Sequence, residues 1–228
     1  MRNEDKGKRG MSPRSQEPLQ VLLVDDHPVV RVGFAALLGQ LGIPLVINEA
    51  DDGTQAVEVC LRCTPRFALV DLSLGGELGL DLIRRIRAIS PGTVVLVVSM
   101  HDERIYAERA LRAGARGYVM KQNAAKSIVQ AVRVILDGQI WLSEDMRSIV
   151  LKRFADRTAP EDAKFESLSD RELEVFRLIG RGLRKSDISQ QLGISHSTIE
   201  TYRANIKRKL GIASGAELYR CAFLHFQA

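Results

Sequence analysis

Asp25 and Asp26 follow the apolar run Val21–Val24, Asp71 follows Phe67–Val70, Ser99 follows Val94–Val98, and Lys121 closes Gly117–Met120. Each group stands at the end of a short run, most of them rich in Val, Ile or Leu, as strands buried on both faces are. In an open parallel sheet the carboxyl ends of the strands share one edge, and ligands bind there. Asp25 to Asp71, Asp71 to Ser99 and Ser99 to Lys121 are steps of 46, 28 and 22 residues, which suit successive strand–helix–strand units. The groups can therefore converge. Three carboxylates brought together repel one another, so either a pKa rises or a cation sits among them. Hard oxygen ligands with room for water suit Mg²⁺. Asp71 would serve as a carboxylate nucleophile, with Lys121 neutralising a phosphoryl group in flight and the Ser99 hydroxyl bonding one of its oxygens. One aspartate at a strand end more often caps a helix or turns a loop; the set of five in this order carries the functional reading.

The elements that must position these groups are legible as an alternation. A run at Leu45–Ile47 completes five strands, and helix-period stretches lie between and after them near 28–41, 53–63, 78–89, 103–113 and 124–137. Gly114 and Gly138 stand where helix C-caps belong. Five such units in residues 19–140 predict an α/β unit, a parallel five-stranded sheet with helices on both faces. Residues 1–18 are rich in Lys, Arg, Glu, Ser, Gly and Pro and read as a disordered tail. Residues 141–166 read as a linker, with a helix over Ser143–Phe154 and then a polar stretch containing Pro160.

From residue 167 onward only helical patterns occur. Ser169-Asp-Arg-Glu172 and Ser214-Gly-Ala-Glu217 are capping-box sequences, Gly180 and Gly182 end one helix, and Leu192-Gly-Ile194 is a tight apolar turn. Four short helices with such a turn match a helix-turn-helix. Residues 167–228 carry ten basic and six acidic side chains, so +4 of the chain's +5 lies there. A compact basic segment points to a polyanion, usually nucleic acid. At 100° per residue Ile199, Tyr202, Ile206 and Leu210 form the core stripe of one helix, and Glu200, Thr201, Ala204, Lys207 and Arg208 form the opposite arc. That arc would enter a major groove. Thr201 and Ala204 would meet thymine methyls and Glu200 a cytosine amino group. Lys207 and Arg208, flanked by Arg203 and Lys209, would meet phosphates, as would Lys185 and Ser186 on the preceding helix. Ser197-Thr-Ile-Glu200 is also a capping-box pattern, in which Glu200 would fold back and read no base.

Residues 19–140 resemble the receiver domain of two-component response regulators, through Leu22-Leu-Val-Asp-Asp-His-Pro28, Leu69-Val-Asp-Leu-Ser73, Val98-Ser-Met-His101 and Gly117-Tyr-Val-Met-Lys121. Residues 168–226 resemble the LuxR/FixJ-type helix-turn-helix domain, through Leu168-Ser-Asp-Arg-Glu-Leu-Glu-Val175, Leu192-Gly-Ile-Ser195, Thr198-Ile-Glu200 and Ile206-Lys-Arg-Lys-Leu-Gly211. The order is that of the NarL/FixJ class. The resemblance implies a flavodoxin-like (βα)5 fold followed by a four-helix domain. It implies Asp71 as phosphoacceptor and Mg²⁺ held by Asp26, Asp71 and the Ser73 backbone carbonyl, with Asp25 acting through water. It implies Ser99 and Lys121 on the phosphoryl group and Tyr118 as a switch coupled to Ser99. The implied partners are a sensor histidine kinase, double-stranded promoter DNA, a second copy of the chain when phosphorylated, and RNA polymerase. Two positions depart from the family pattern. Gly75 stands where proline is frequent, which would loosen the loop after Asp71, and Gln122 replaces a proline after Lys121.

Other classes fit less well. The longest apolar runs are far shorter than the roughly 20 residues a membrane helix needs, and residues 1–18 lack the apolar core of a secretory signal. Three cysteines exclude a disulfide framework and suit a reducing, cytoplasmic setting. Cys60-Leu-Arg-Cys63 stands alone as a CxxC and reads as packing within a helix. The four histidines lack zinc-site spacing. A turnover phosphatase using the same nucleophile would need a general acid near the leaving oxygen, and the residue two after Asp71 is Ser73. A constitutive DNA-binding dimer with a vestigial acidic pocket is the remaining alternative, against which the intact acidic set and Lys121 count.

Overall fold

The computed structural model describes residues 17–156 and 163–227. The tail expected over residues 1–18 lies outside the described residues except for Glu17 and Pro18. The N-terminal unit runs β1 (Leu19–Val24), α1 (Pro28–Gly39), β2 (Leu45–Ala50), α2 (Gly53–Cys63), β3 (Phe67–Val70), a small hairpin of β4 (Ser73–Leu74) and β5 (Glu77–Leu78), α3 (Gly79–Ile89), β6 (Val94–Ser99), α4 (Glu103–Ala113), β7 (Gly117–Met120) and α5 (Ala124–Leu136). The five long strands form one parallel sheet in the order β2-β1-β3-β6-β7.

Alternate residues of each strand feed different cores, because successive side chains leave a strand on opposite faces. Val21, Leu23, Phe67, Leu69, Leu96 and Val98 pack with Phe34 of α1 and Ile128 and Val132 of α5. Leu22, Val24, Ala68, Val70, Val95 and Val97 pack on the other face with Ile83 and Ile86 of α3 and Tyr106 of α4. Both faces are dry, which explains the unbroken apolar runs. The register matters for the site. Val24 pairs with Val70, and the Asp71 N–H donates to the Val24 carbonyl at 2.9 Å. The next residues, Asp25 and Asp71, are thus neighbours across the edge.

The β4–β5 hairpin was not anticipated. Its turn is Gly75-Gly76, with φ +46° and +110°. A two-residue hairpin turn with both central φ values positive favours glycine strongly. The loosening expected from glycine at position 75 is therefore corrected: the pair closes a defined turn. No cis peptide bond occurs among the described residues.

After α5 the chain returns to the sheet. Trp141 forms a parallel bridge with Gly117 at the edge of β7. Helix α6 (Glu144–Asp156) follows, starting one residue later and ending two residues later than expected, and opened by Ser143, whose hydroxyl accepts the Met146 N–H at 3.1 Å. Part of the expected polar linker is also helical, as α7 (Ala163–Glu166). The C-terminal unit comprises α8 (Asp170–Gly180), α9 (Lys185–Leu192), α10 (His196–Leu210) and α11 (Gly215–Gln227). The capping box at Ser169–Glu172 is complete, and Gly193 (φ +62°) ends α9 as the αL cap. Ile199 and Ile206 are fully buried, and Tyr202 and Leu210 pack beside them, as the helical period predicted.

Helix α8 docks on α3 and α4. Asp170 pairs with Arg84 at 2.6 Å and with Arg109 at 2.9 Å, and Arg109 also donates to the carbonyls of Leu168 and Phe165 at 2.9 and 3.0 Å. Arg171 reaches the β4–β5 turn, donating to the Gly76 carbonyl at 3.1 Å.

Candidate functional site

The end of β1, the end of β3 and the residue after β7 meet at one point. Lys121 Nζ lies 2.6 Å from Asp25 Oδ2 and 2.7 Å from Asp71 Oδ2. Asp25 Oδ1 accepts the His27 N–H at 2.9 Å, and Asp26 Oδ1 lies 2.6 Å from His27 Nδ1. Asp25 and Asp71 are buried, and Asp26 stands at the rim with about a third of its side chain exposed. Asp71 Oδ1 is buried and makes no hydrogen bond of good geometry among the described residues, although the Ser73 backbone N–H lies close enough to favour the charge of the carboxylate. Burial pushes the Asp71 carboxyl above its ordinary range, against the nearby Lys121 ammonium, which lowers it, while Asp25 adds repulsion. Burial opposes the Lys121 charge as well, but Asp71 and Asp25 outweigh it and hold the amine protonated.

Asp25, Asp26 and His27 can each offer one ligand atom within 4.8 Å of the others, and Asp71 is not in that group. Histidine spacing in the sequence gave no reason to include His27. Its role comes from following two aspartates at a strand end.

Ser99 is fully buried at the end of β6. Its Oγ accepts the His101 N–H at 3.3 Å. Tyr118 is buried and donates from its hydroxyl to the His101 carbonyl at 3.0 Å. His101 Nε2 meets Ser73 Oγ at 3.0 Å, and its ring stacks on Tyr106 with centroids 4.7 Å apart. His101 thus links the residue two after Asp71 with Ser99 and Tyr118, a connection no local sequence signal marks. Burial, reinforced by Arg177, lowers its pKa to about 4, so the ring is neutral near pH 7. Arg177 itself is buried in α8 and forked onto Glu174 at 2.6 and 3.1 Å.

Gly79 holds the Asp71 segment close. A Cβ there would sit 2.3 Å from the Asp71 carbonyl oxygen and 2.6 Å from Leu72 Cα, both backbone atoms. Gly79→Ala is expected to displace the segment, to cost about 1–3 kcal/mol in a denaturant melt, and to slow any reaction at Asp71.

On α10, Glu200, Thr201, Ala204 and Arg208 are exposed and Lys207 is half-buried. The N-cap is Ser195, whose side chain accepts the Thr198 N–H. The capping-box reading of Ser197–Glu200 is therefore corrected: Glu200 reaches Lys185 at 3.3 Å and Arg203 at 3.9 Å instead. Lys209 turns away from the arc, to Glu172 at 2.6 Å and the Ser167 carbonyl at 2.9 Å.

Residues 21–133 match the profile of the response regulator receiver domain, and residues 166–222 match that of bacterial regulatory proteins of the luxR family. The chain is a LuxR-type response regulator. The Fimbriae Z protein of Salmonella typhimurium is 33% identical over 92% of this chain and 98% of its own length. The response regulator UvrY of Escherichia coli is 32% identical over 91% and 94%. Among solved structures, a LuxR-family response regulator from Aurantimonas is 33% identical with a TM-score of 0.55, covering 61% of this chain and 99% of its own. RcsB from Salmonella enterica bound to a promoter with a beryllofluoride phosphomimetic is 25% identical with a TM-score of 0.55, covering 91% and 100%. The LuxR-type regulator thus joins a receiver fold to a DNA-binding domain, the organisation of two-component transcription regulators. Among its described residues no helix is long and apolar enough to cross a membrane.

Proposed function

We propose that the receiver, residues 19–140, accepts a phosphoryl group on Asp71 from a sensor histidine kinase in the cytoplasm. The DNA-binding domain, residues 167–228, then acts at promoters as a homodimer, with RNA polymerase as a further partner. The observation that carries this is Asp71 Oδ1, a buried carboxylate oxygen without a hydrogen bond of good geometry, while its partner oxygen is held by Lys121. An unpaired buried acceptor is costly, and a reacting atom is the kind of group for which that cost is kept. The donor set suits Mg²⁺: carboxylates of Asp26 and Asp71 and the Ser73 carbonyl would hold it, with Asp25 acting through water. Bound there, the ion would supply charge neutralisation for the phosphoryl oxygens.

The chain's own groups do the rest. An Asp71 oxygen attacks phosphorus as the bond to the kinase histidine nitrogen breaks. Lys121 stabilises the phosphoryl charge, and Ser99 donates to a phosphoryl oxygen. Tyr118 is coupled to Ser99 through His101 and repacks with it. The protein turns over no substrate of its own. Selection of bound sequences from random duplex DNA, with and without beryllofluoride and Mg²⁺, tests the whole reading. Identical selections in both conditions would remove the link between Asp71 and DNA.

Release of α8 from α3 and α4 is the proposed output, and Glu174 offers a handle on it. Burial raises the Glu174 carboxyl, but the Arg177 hydrogen bonds and charge outweigh that and hold it below the ordinary range. A depressed carboxylate contributes stability that is present above its unfolded pKa and lost as pH falls through the folded one. The pair is internal to α8, so this linkage bears on unfolding of the closed protein, whose stability should fall on acidification below the usual carboxylate range. Glu174→Ala leaves Arg177 buried and unpaired, a penalty of about 3–5 kcal/mol if the domains stay closed. Opening hydrates the guanidinium, so the variant is expected to extend, seen as a larger radius of gyration in X-ray scattering at pH 7.

A further inference from the structure

The edge of β7 is not open, although β7 is the last strand of the sheet. The Trp141 N–H donates to the Arg116 carbonyl and the Tyr118 N–H donates to the Trp141 carbonyl, both at 3.0 Å. Residues 140–142 therefore lie along the edge of β7, joined to it by a parallel bridge at Trp141. Their side chains alternate as a strand's do: Trp141 packs with the α1–α5 core, whereas Leu142 is buried in the opposite one. Gly117 makes the approach possible, since a Cβ there would lie 2.9 Å from both Trp141 Cβ and Trp141 O. A second tie lies one residue on. The Ser143 N–H donates at 2.9 Å to Glu103, a buried carboxylate in the first turn of α4. The Arg147 guanidinium lies 5.2 Å over the Trp141 ring and joins the start of α6 to the same strap.

Both ties end on the segments that flank the phosphoacceptor pocket. One is the backbone of Tyr118, whose hydroxyl bonds the His101 carbonyl. The other is Glu103, two residues beyond His101. A movement of residues 99–103 toward Asp71 pulls on both at once. Sheet-edge pairing is easily exchanged, because an edge strand's backbone groups are satisfied equally well by water.

We propose that residues 140–143 are a switchable edge strap: reaction at Asp71 draws the Ser99–Glu103 segment inward, strips the strap from β7, and frees helix α6. The inference rests on Asp71 being the phosphoacceptor.

Trp141 is the chain's one tryptophan, so the strap reports on itself. Full-length protein is titrated with beryllofluoride and Mg²⁺, bound beryllofluoride is counted by fluorine NMR, and iodide quenching of tryptophan emission is read on the same sample. The quenching constant is expected to roughly double, as for a locally opened segment, with a red shift of emission. Bound beryllofluoride with quenching unchanged or reduced overturns the strap and leaves the phosphoacceptor standing; no bound beryllofluoride sinks both. Glu103→Ala deletes the acceptor for Ser143 and should raise quenching without any ligand. Wild-type quenching in a folded Glu103→Ala protein would show that this tie does not hold the strap.

Discussion

Asp71→Asn should reduce phosphoryl incorporation from a small acyl phosphate donor to background and at the same time raise the melting temperature of the receiver. The first half follows from chemistry. A carboxamide oxygen has the shape of the carboxylate but not its negative charge, so it neither attacks phosphorus competently nor supplies a hard anionic ligand. Lys121 remains paired with Asp25 at 2.6 Å, so the variant leaves no lone cation in the pocket. The second half follows from linkage. The folded-state pKa of Asp71 is raised, chiefly by burial. The native state therefore binds more protons than the unfolded state, and stability falls as pH rises through the folded value. At neutral pH the ionised side chain is a cost, which the neutral amide removes. Labelling of Asp71→Asn equal to wild type would place the phosphoacceptor elsewhere. A lower melting point at neutral pH would contradict the electrostatic account of the pocket.

Binding to a duplex site should fall steeply with salt. Lys185, Arg203, Lys207 and Arg208 are the basic groups near the reading arc of α10. Four on each of two protomers, at about 0.9 per phosphate, give a slope of log affinity against log salt of roughly −7. Between about 50 and 200 mM salt that is a loss of about 10⁴-fold. Arg208→Ala removes one contact from each protomer, so it should reduce the slope by about two and weaken all sequences alike, whereas Ala204→Glu should abolish selective binding by placing a charge against the base edges. Lys209→Ala should leave the slope near the wild-type value, because its ammonium is already held by Glu172 and the Ser167 carbonyl. A flat salt dependence would remove the DNA-binding role assigned to the arc. An equal loss of slope for Lys209→Ala would mean that it turns outward on the duplex.

Much of this was legible before any coordinates. Strand-end placement of Asp25, Asp71, Ser99 and Lys121 follows from apolar runs of the right length, since only a doubly covered parallel sheet buries such runs on both faces. The core stripe of α10 follows from helical period alone, and Ile199 and Ile206 are buried as that period requires. What stayed hidden depends on contacts between residues remote in the chain. The Gly75-Gly76 hairpin is only two residues per strand, too short for a periodic signal. His101 bonds Ser73, 28 residues away, and Trp141 pairs beside Gly117. Asp170 reads as an ordinary first-turn helix acid, and nothing local says that Arg84 and Arg109 converge on it. Ser195 and Ser197 both precede plausible helix starts, and the cap went to the residue that the tight turn at Gly193 places first.

Docking of the C-terminal unit through α8 leaves Glu200, Thr201, Ala204 and Arg208 facing solvent. A regulator held in this closed form is not blind to the chromosome. On the proposed reading each resting molecule would skim along duplex by charge alone, hopping between phosphates while the bases go unread. Release of α8 would then leave two such molecules only to meet in register over paired half-sites, so the delay between signal and promoter occupancy would be set by partner encounter on DNA rather than by a search from bulk solution.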